Sequence, residues 1–281
     1  MIQIIRFLEE CRNFLHNFCG DPDFLGPILS NEEQLRNELT KAIEKPEKHT
    51  VWGVFREGHM TGLFSFLILP DEQYMEMLAG LSRDKAAYQE MLTYLEQNFP
   101  NYEADFVFDP RNDLLKEQLQ VRNAKFETEQ QKMVLGTPVV PDDTTGAVPY
   151  APQYEQQYCA IHDQNVYWTG EKIVSVPERF KTIMAIHDGK VVGYLDMTKG
   201  FTENEIFDVL VLENYRRMGY GRKLLAMAIE VNRPNGMMLT VDVDNVPAIR
   251  LYRSVGFSEV ENENSLTAHW MISGGRKVIC S

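Results

Sequence analysis

The chain has 281 residues and a formal net charge of −13, from 28 lysines and arginines against 41 aspartates and glutamates. Its 44% apolar and 25% charged residues are typical of a folded globular protein, and its length predicts two domains. The acidity excludes a nucleic-acid backbone as the main partner, because phosphates require a basic face. The longest predominantly apolar run, Leu63 to Leu69 with only Ser65 polar, is far shorter than the roughly 20 residues of a membrane span.

The N-terminal segment and the cysteines predict a cytoplasmic protein. Charged residues interrupt the first amphipathic stretch from Arg6 to Arg12, a pattern that no secretory signal has. The cysteines fit no CxxC or metal spacing, which indicates free thiols, and they are Cys11, Cys19, Cys159 and Cys280. The six histidines show no HxH or HxxxH pair, so the sequence predicts no metal site.

A proline-rich segment divides the chain. The run GTPVVPDDTTGAVPYAPQ, residues 136–153, has no hydrophobic periodicity and predicts a linker at 137–152 between domains 1–136 and 153–281. Both sides alternate helical and strand patterns, which predicts an α/β or α+β fold.

Two segments recur with a shift of 131 residues. EGHMTG (Glu57 to Gly62) returns as DGKVVG (Asp188 to Gly193), each between two apolar runs, which predicts a β-hairpin with an acidic–glycine turn. Phe126 and Phe257 recur at the same shift. We interpret the chain as two related halves, and the alternative is two unrelated α/β domains that share hairpin chemistry.

A glycine loop lies between a strand and a helix in the second half. The strand Glu205–Leu212 leads to RRMGYG and to a helix whose apolar face is Leu224, Leu225, Ala228 and Ile229. Glycines allow positive φ and close approach of a ligand, and a helix N-terminus offers unpaired N–H groups. The loop therefore predicts a pyrophosphate site, supported by a basic cluster of Arg216, Arg217, Arg222 and Lys223. The alternative is tight packing at a helix start.

A second motif, DNVPAIRLYRSVGF, runs from Asp244 to Phe257. The strand Met238–Val243 precedes it, and Pro247 fits the first turn of a helix. We expect Asp244 to cap this helix. The spacing by itself indicates that Tyr252 is a half-buried core residue.

Together the two motifs resemble the signature motifs of the GNAT superfamily of N-acetyltransferases. V-x-x-x-x-R-R-x-G-x-G-x-x-L runs from Val211 to Leu224, and N-x-x-A-x-x-L-Y-x-x-x-G-F runs from Asn245 to Phe257. The resemblance covers residues 155–270 clearly, and residues 1–135 only as a degenerate copy. It implies an α/β (α+β) chain of two GNAT-like domains, each with a mixed central sheet, flanking helices and splayed parallel strands.

The resemblance implies that acetyl-CoA lies between two splayed strands, with its pyrophosphate on the amides from Arg217 to Arg222. Backbone groups around Val209 and Val211 would pair with the pantetheine as an added strand would, and Asn245 would bind the pantetheine arm. The full cofactor-binding set is Val209, Leu210, Val211, Arg216, Arg217, Met218, Gly219, Tyr220, Gly221, Arg222 and Asn245.

The same resemblance assigns catalytic roles. Acyl transfer to an amine needs a base, and Glu205 matches the general base of some members. The amide of Val211 would stabilise the oxyanion, and Tyr252 matches the usual acid that protonates the CoA thiolate. The alternative for Glu205 is a solvent-exposed carboxylate at the start of a strand.

Other polar residues have weaker signals. Cys159 and His162 suggest a thiol–base pair, but no acidic or amide partner is evident, and an ordinary helix surface is favoured. Four carboxylates could hold a cationic substrate or line the acceptor cleft, namely Asp196, Asp208, Asp242 and Asp244.

The first half departs from the motif. At the shift of 131, the positions of Glu205, Arg216, Gly219, Gly221 and Tyr252 hold Tyr74, Lys85, Tyr88, Glu90 and Val121. A carboxylate and a bulky ring oppose a phosphate, so we expect this half to lack a cofactor site. We expect it to pack on the catalytic half and to wall the acceptor cleft.

These features predict an acetyl-CoA-dependent N-acetyltransferase with a C-terminal catalytic domain. Its acceptor would be a small-molecule or protein amine, with a small cationic amine favoured by the net charge. The alternatives are a non-catalytic CoA-binding regulatory module and an acyltransferase that uses a longer acyl-CoA or an aminoacyl donor.

Overall fold

The computed structural model describes residues 1–19, 32–137, 143–164, 166 and 168–273. Contacts divide the chain into two compact units. The first unit is Met1–Glu129 with the chain from Asn262 onward, and the second unit is Gln130–Glu261. No described helix is long and apolar enough to cross a membrane.

Helices and strands alternate through both units. Up to Glu129 the described elements are β1 (Ile2–Ile4), α1 (Arg12–Cys19), α2 (Glu32–Glu44), β2 (His49–Arg56), β3 (His59–Leu69), β4 (Tyr74–Ser82), α3 (Lys85–Asn98), β5 (Glu103–Phe108), α4 (Asp113–Val121) and β6 (Lys125–Phe126). The second unit contains β7 (Gln130–Leu135), β8 (Ala147–Pro149), α5 (Glu155–Ile161), α6 (Gly170–Ser175), β9 (Phe180–His187), β10 (Lys190–Thr198), β11 (Glu203–Val211), α7 (Tyr220–Asn232), β12 (Gly236–Asp242), α8 (Val246–Ser254) and β13 (Phe257–Glu259). The chain then returns to the first unit as β14 (Leu266–Met271).

Two hairpins of identical design confirm the predicted repeat. The β2–β3 turn has φ of 50° at Glu57 and 81° at Gly58, and the β9–β10 turn has 47° at Asp188 and 76° at Gly189. A two-residue turn with positive φ at both positions matches the right-handed twist of the strands, which favours an acidic residue followed by glycine.

Each unit has one mixed sheet, as the resemblance implied, and each sheet has seven strands among the described residues. The orders are β1-β2-β3-β4-β5-β14-β6 and β13-β7-β12-β11-β10-β9-β8. The two halves exchange one strand: β7 follows the first half in sequence but pairs with β12, and β14 follows the second half but pairs with β5. Each inserted strand lies between two others, so each sheet is completed by the other half of the chain.

This exchange moves the boundaries away from the predicted ones at 136 and 153. The chain passes between the units at 129–130 and again at 261–262. Inside the predicted linker, Ala147–Pro149 forms β8, an edge strand paired with β9. Residues 138–142 of that linker, and Cys280, lie outside the described residues.

Helices cover both faces of the second sheet. On one face, the predicted apolar side of α7 is fully buried with residues of α8 and the strands, at Leu224, Leu225, Ala228 and Ile229. On the other face, Tyr158 of α5 packs with Met184 and Tyr194. Burial of both faces explains why β9 and β10 are almost continuously apolar.

Candidate active site

A gap opens between β11 and β12. The two strands pair in parallel from Glu203 with Gly236 to Ile206 with Leu239, and beyond that point no register joins them. The predicted splay of the parallel strands is therefore present. The N–H of Leu212 donates to Val192 O at 2.9 Å, so by alternation the N–H groups of Val211 and Val209 face the gap.

The N-terminus of α7 presents unpaired donors. Gly219 is its N-cap, at φ +88°, and the first turn closes with the N–H of Lys223 donating to Gly219 O at 3.1 Å. Within the described part of the chain, no main-chain N–H from 217 to 222 donates a hydrogen bond. These donors and the positive end of the helix dipole suit an anion.

Cations surround this helix end. Arg216 Nε donates to Val211 O at 3.0 Å, and Lys223 Nζ lies 3.1 Å from a carboxylate oxygen of Asp143. Arg217 and Arg222 are exposed and form no ion pair with a described residue. Free N–H groups, two available guanidinium groups and a positive-φ glycine fit the diphosphate of acetyl-CoA.

The glycines of the loop have different roles. A Cβ at Gly219 would meet no atom within 4 Å, whereas a Cβ at Gly221 would lie 2.9 Å from Leu251 Cδ2 of α8. Gly221 therefore serves helix packing, the alternative considered for the loop.

Two members of the predicted cofactor set have side chains that point away from the gap. Tyr220 is buried, with its hydroxyl 2.6 Å from His187 Nδ1, and Leu210 packs against the cluster around Tyr158. The main-chain N–H of Tyr220 remains available to a ligand, whereas the main chain of Leu210 pairs with Tyr194 of β10. Met218, by contrast, is exposed.

Asn245, and not Asp244, caps α8. Its side-chain oxygen accepts a hydrogen bond from the N–H of Ala248 at 3.3 Å, and Pro247 lies in the first turn as predicted. Asn245 is preferred because its position, one residue later, lets the side chain reach the N3 amide. Its amide nitrogen is not used in the cap. Asp242 is engaged elsewhere, since it accepts from Gln130 Nε2 at 3.2 Å.

The two predicted acid–base residues are both half-buried. Burial raises the pKa of Tyr252 to about 12, with the negative charge of Asp208 adding to the shift. Burial also raises the pKa of Glu205, against a smaller opposing effect of Lys132. A phenol that retains its proton is suited to act as an acid, and a buried carboxylate has a strengthened affinity for a proton.

A buried polar network near this site was not predicted. His162 follows α5, and its Nε2 lies 3.2 Å from Asp196 Oδ2 and 3.6 Å from Asp208 Oδ2. Asp196 also accepts from Tyr158 Oη at 2.8 Å and from Thr182 Oγ1. The expectation that His162 lies on an ordinary helix surface without an acidic partner is corrected, because its side chain is 1% exposed and pairs with Asp196.

The thiol beside this network is not activated. Burial raises the pKa of Cys159, and the carboxylates of Glu171 and Glu155 raise it further. A thiolate nucleophile at this position is therefore disfavoured. One sequence signal could have revealed the network: after Lys190, the first residue of β10, Asp196 is the one charged residue of that strand.

The start of α3, the described helix that follows β4 in the first unit, differs from the start of α7. Asp84 caps α3, and its carboxylate accepts from the N–H of Ala86 at 2.9 Å, so a negative charge occupies the helix end. Tyr88 is fully buried, and its hydroxyl accepts a hydrogen bond from Asn112 Nδ2 at 2.9 Å.

The counterpart of Glu205 in the first unit is Glu76, and not Tyr74. Both sheets have a bulge, after which Met77 pairs with Phe66 and Ile206 pairs with Met197. The residue before each pair is a glutamate. The shift of 131 fails here because strand pairing, rather than residue count, sets the equivalence. The pKa of Glu76 is raised by burial and by Asp105.

Comparison with known proteins supports this interpretation. Residues 147–257 match the Acetyltransferase (GNAT) family. An N-alpha-acetyltransferase from Sulfurisphaera tokodaii is 37% identical over 90 residues, covering 26% of this chain and 54% of that protein, so the chain spans about half the length of this curated relative.

Two solved structures share the fold over nearly the whole chain. A GCN5-related N-acetyltransferase from Sphaerobacter thermophilus has a TM-score of 0.66 at 14% identity, covering 97% of this chain and 96% of its own. A tandem GNAT protein from the clavulanic acid biosynthesis pathway has a TM-score of 0.58 at 12% identity, covering 97% and 99%. Residues 147–257 therefore match the GNAT acetyltransferase family, and the chain as a whole shares its fold with a tandem GNAT protein.

Proposed function

We propose that the second unit transfers the acetyl group of acetyl-CoA to a primary amine by direct transfer in a ternary complex. The observation that carries this proposal is the set of free N–H groups and arginines at the α7 N-terminus, beside the gap between β11 and β12. The match of residues 147–257 to the GNAT family supports the donor, and the relative named N-alpha-acetyltransferase supports an amine acceptor. The net charge of −13 favours a cationic acceptor.

The site residues account for each proton in this reaction. Glu205 takes a proton from the ammonium, directly or through water, and the freed lone pair attacks the thioester carbon. The Val211 N–H stabilises the negative carbonyl oxygen. The C–N bond forms, the C–S bond breaks, and Tyr252 protonates the thiolate. The second proton of the nitrogen then returns to the Tyr252 oxygen, and Glu205 releases its proton to solvent. Overall, an ammonium and a thioester give an amide, a thiol and one proton.

The first unit serves no second acetyl-CoA in this proposal. Its helix α3 begins at the Asp84 carboxylate, which stands at the N-cap position that Gly219 holds in α7. Electrostatic repulsion from this carboxylate opposes a diphosphate at the start of α3. One site per chain is the consequence.

Calorimetric titration of the full chain with acetyl-CoA tests the proposal. We expect one site per chain, followed by release of CoA when a primary amine is added. Two sites would contradict the silent first unit, and absence of binding would overturn the proposed donor. Binding without turnover on any amine would favour the regulatory CoA-binding module.

A further inference from the structure

A bulge on β11 aligns two carboxylates on one face of the sheet. Asp196 pairs with Asp208, but the next pair is Met197 with Ile206, so Phe207 is the extra residue. Ile206 packs in the core beneath α7, which leaves Glu205 and, beyond the bulge, Asp208 on the opposite face. The candidate base and Asp208 therefore line the same side of the gap.

The hydrogen-bond partners of His162 fit an imidazolium with a proton on each ring nitrogen. Its Nδ1 lies 3.2 Å from Asp163 O, a carbonyl that only accepts, so Nδ1 carries a proton. Its Nε2 faces the carboxylates of Asp196 and Asp208, which also accept, so Nε2 carries a proton too. The ring stacks on Tyr194 at 4.8 Å, which suits a cation.

Asp208 is the accessible carboxylate of the network. An imidazolium balances one of the two carboxylates, and the Asp208 side chain is 33% exposed against 0% for Asp196. Burial raises the pKa of Asp208, and a ligand cation would favour its charged form. The Tyr194 hydroxyl donates to Asp208 Oδ2 at 2.8 Å and fixes its orientation. A half-buried carboxylate with surplus charge is stabilised by a cation from the ligand.

We propose that Asp208 binds the acceptor amine in its ammonium form, with His162, Asp196 and Tyr194 as positioning residues. The inference rests on the proposed acetyl transfer and names the group that recognises its second substrate. Asp208 holds the ammonium by N–H···O hydrogen bonds, and Glu205 then removes the proton. Recognition and deprotonation are thus assigned to different carboxylates. A small amine and the α-amino group of a polypeptide share this chemistry.

The test is an amine titration of the full chain saturated with CoA and labelled with ¹⁵N-histidine. The added compounds are cadaverine, a peptide amide with an N-terminal alanine, and the neutral 1-pentanol. Binding is measured by the ¹⁵N chemical shifts of the His162 ring nitrogens. We expect these chemical shifts to change saturably with at least one of the two amines and to stay unchanged with pentanol. Asp208→Asn should weaken amine binding roughly ten- to hundredfold. Asp188→Asn, in the β9–β10 turn, is the matched control and should leave it unchanged.

A kinetic measurement separates positioning from catalysis. With an amine that is acetylated, His162→Gln should raise the amine KM more than it lowers kcat, because Asp208 loses its fixed orientation. A fall in kcat alone would contradict the positioning role. A response to cadaverine only would identify the acceptor as a small amine. A response to the peptide only would identify it as the N-terminus of a polypeptide.

Other outcomes overturn the inference. Absence of any amine response in CoA-saturated protein, or an unchanged response in Asp208→Asn, excludes Asp208 as the ammonium site while the donor proposal stands. Stoichiometric uptake of added Zn²⁺ that is lost in His162→Gln would assign a metal site instead. Failure of CoA itself to bind is a separate result, because it refutes the proposed function.

Discussion

Tyr252 on α8 combines burial with a position near negative charge. Its hydroxyl has a pKa raised to about 12 by burial and by Asp208, so it holds a proton at neutral pH. We expect Tyr252→Phe to lower kcat by about 100-fold, since general acids contribute 10²–10⁴-fold, and to leave acetyl-CoA affinity nearly unchanged. CoA release and calorimetry measure the two effects. Tyr102→Phe in the first unit is the control, and unchanged turnover at saturating substrates would remove Tyr252 from the mechanism.

The raised pKa of His162 should make the stability of the second unit depend on pH. Burial by itself lowers the pKa of His162, but its hydrogen bonds to Asp196 and to the main chain of Asp163, and the charges of Asp196 and Asp208, raise it overall. The contribution of His162 to the free energy of unfolding is therefore fully present below its pKa in the unfolded chain, about 6.5. It is lost as the pH rises through the higher pKa of His162 in the folded protein.

The His162→Gln variant tests that dependence. We expect it to lower the free energy of unfolding of the second unit by about 2 kcal/mol below pH 6, and by less above the raised pKa. Urea unfolding at a series of pH values measures this. His16→Gln is the control, because the His16 side chain is 77% exposed. A cost that does not vary with pH would indicate that folded His162 is neutral.

At the scale of elements, the N-terminus of α7 determines affinity for the donor. Arg217 and Arg222 flank its free N–H groups without ion pairs among the described residues. We expect Arg217→Glu with Arg222→Glu to weaken acetyl-CoA binding at least tenfold, and wild-type binding to weaken with salt. Calorimetry at two salt concentrations measures both effects.

A matched charge control separates local from global electrostatics. Lys190→Glu with Arg233→Glu makes the same change in net charge at exposed positions, in the β9–β10 turn and at the C-terminal end of α7. We expect this pair to bind acetyl-CoA like the wild type. Equal losses in both double variants would show that net charge, and not the helix end, attracts the cofactor.

At the scale of the whole molecule, strand exchange defines what can fold alone. The second sheet needs β7, and β14 belongs to the first. We expect a fragment of residues 130–261 to unfold in one cooperative transition and to bind acetyl-CoA. A fragment of residues 137–281 lacks an inner strand and should do neither. Circular dichroism and calorimetry of both fragments test this, and a folded, binding 137–281 fragment would contradict it.

The sequence by itself predicted the parts that depend on neighbours along the chain. The acidic–glycine turns, the apolar face of α7 and the two GNAT motifs are short-range patterns, because backbone preference and helical or strand periodicity act over a few residues. They were sufficient for the fold class and for the predicted donor site. Even the capping of α8 was mispredicted by only one residue, from Asp244 to Asn245.

Contacts between residues distant in sequence became known only from the tertiary structure. His162 and Asp196 are 34 residues apart in sequence, and their hydrogen bond exists because α5 packs across β10. The exchange of β7 and β14, and the equivalence of Glu76 with Glu205, follow from strand pairing and from a bulge. The physical reason is that pairing partners are selected by long-range burial and hydrogen bonding, which leave no periodic signal in the sequence.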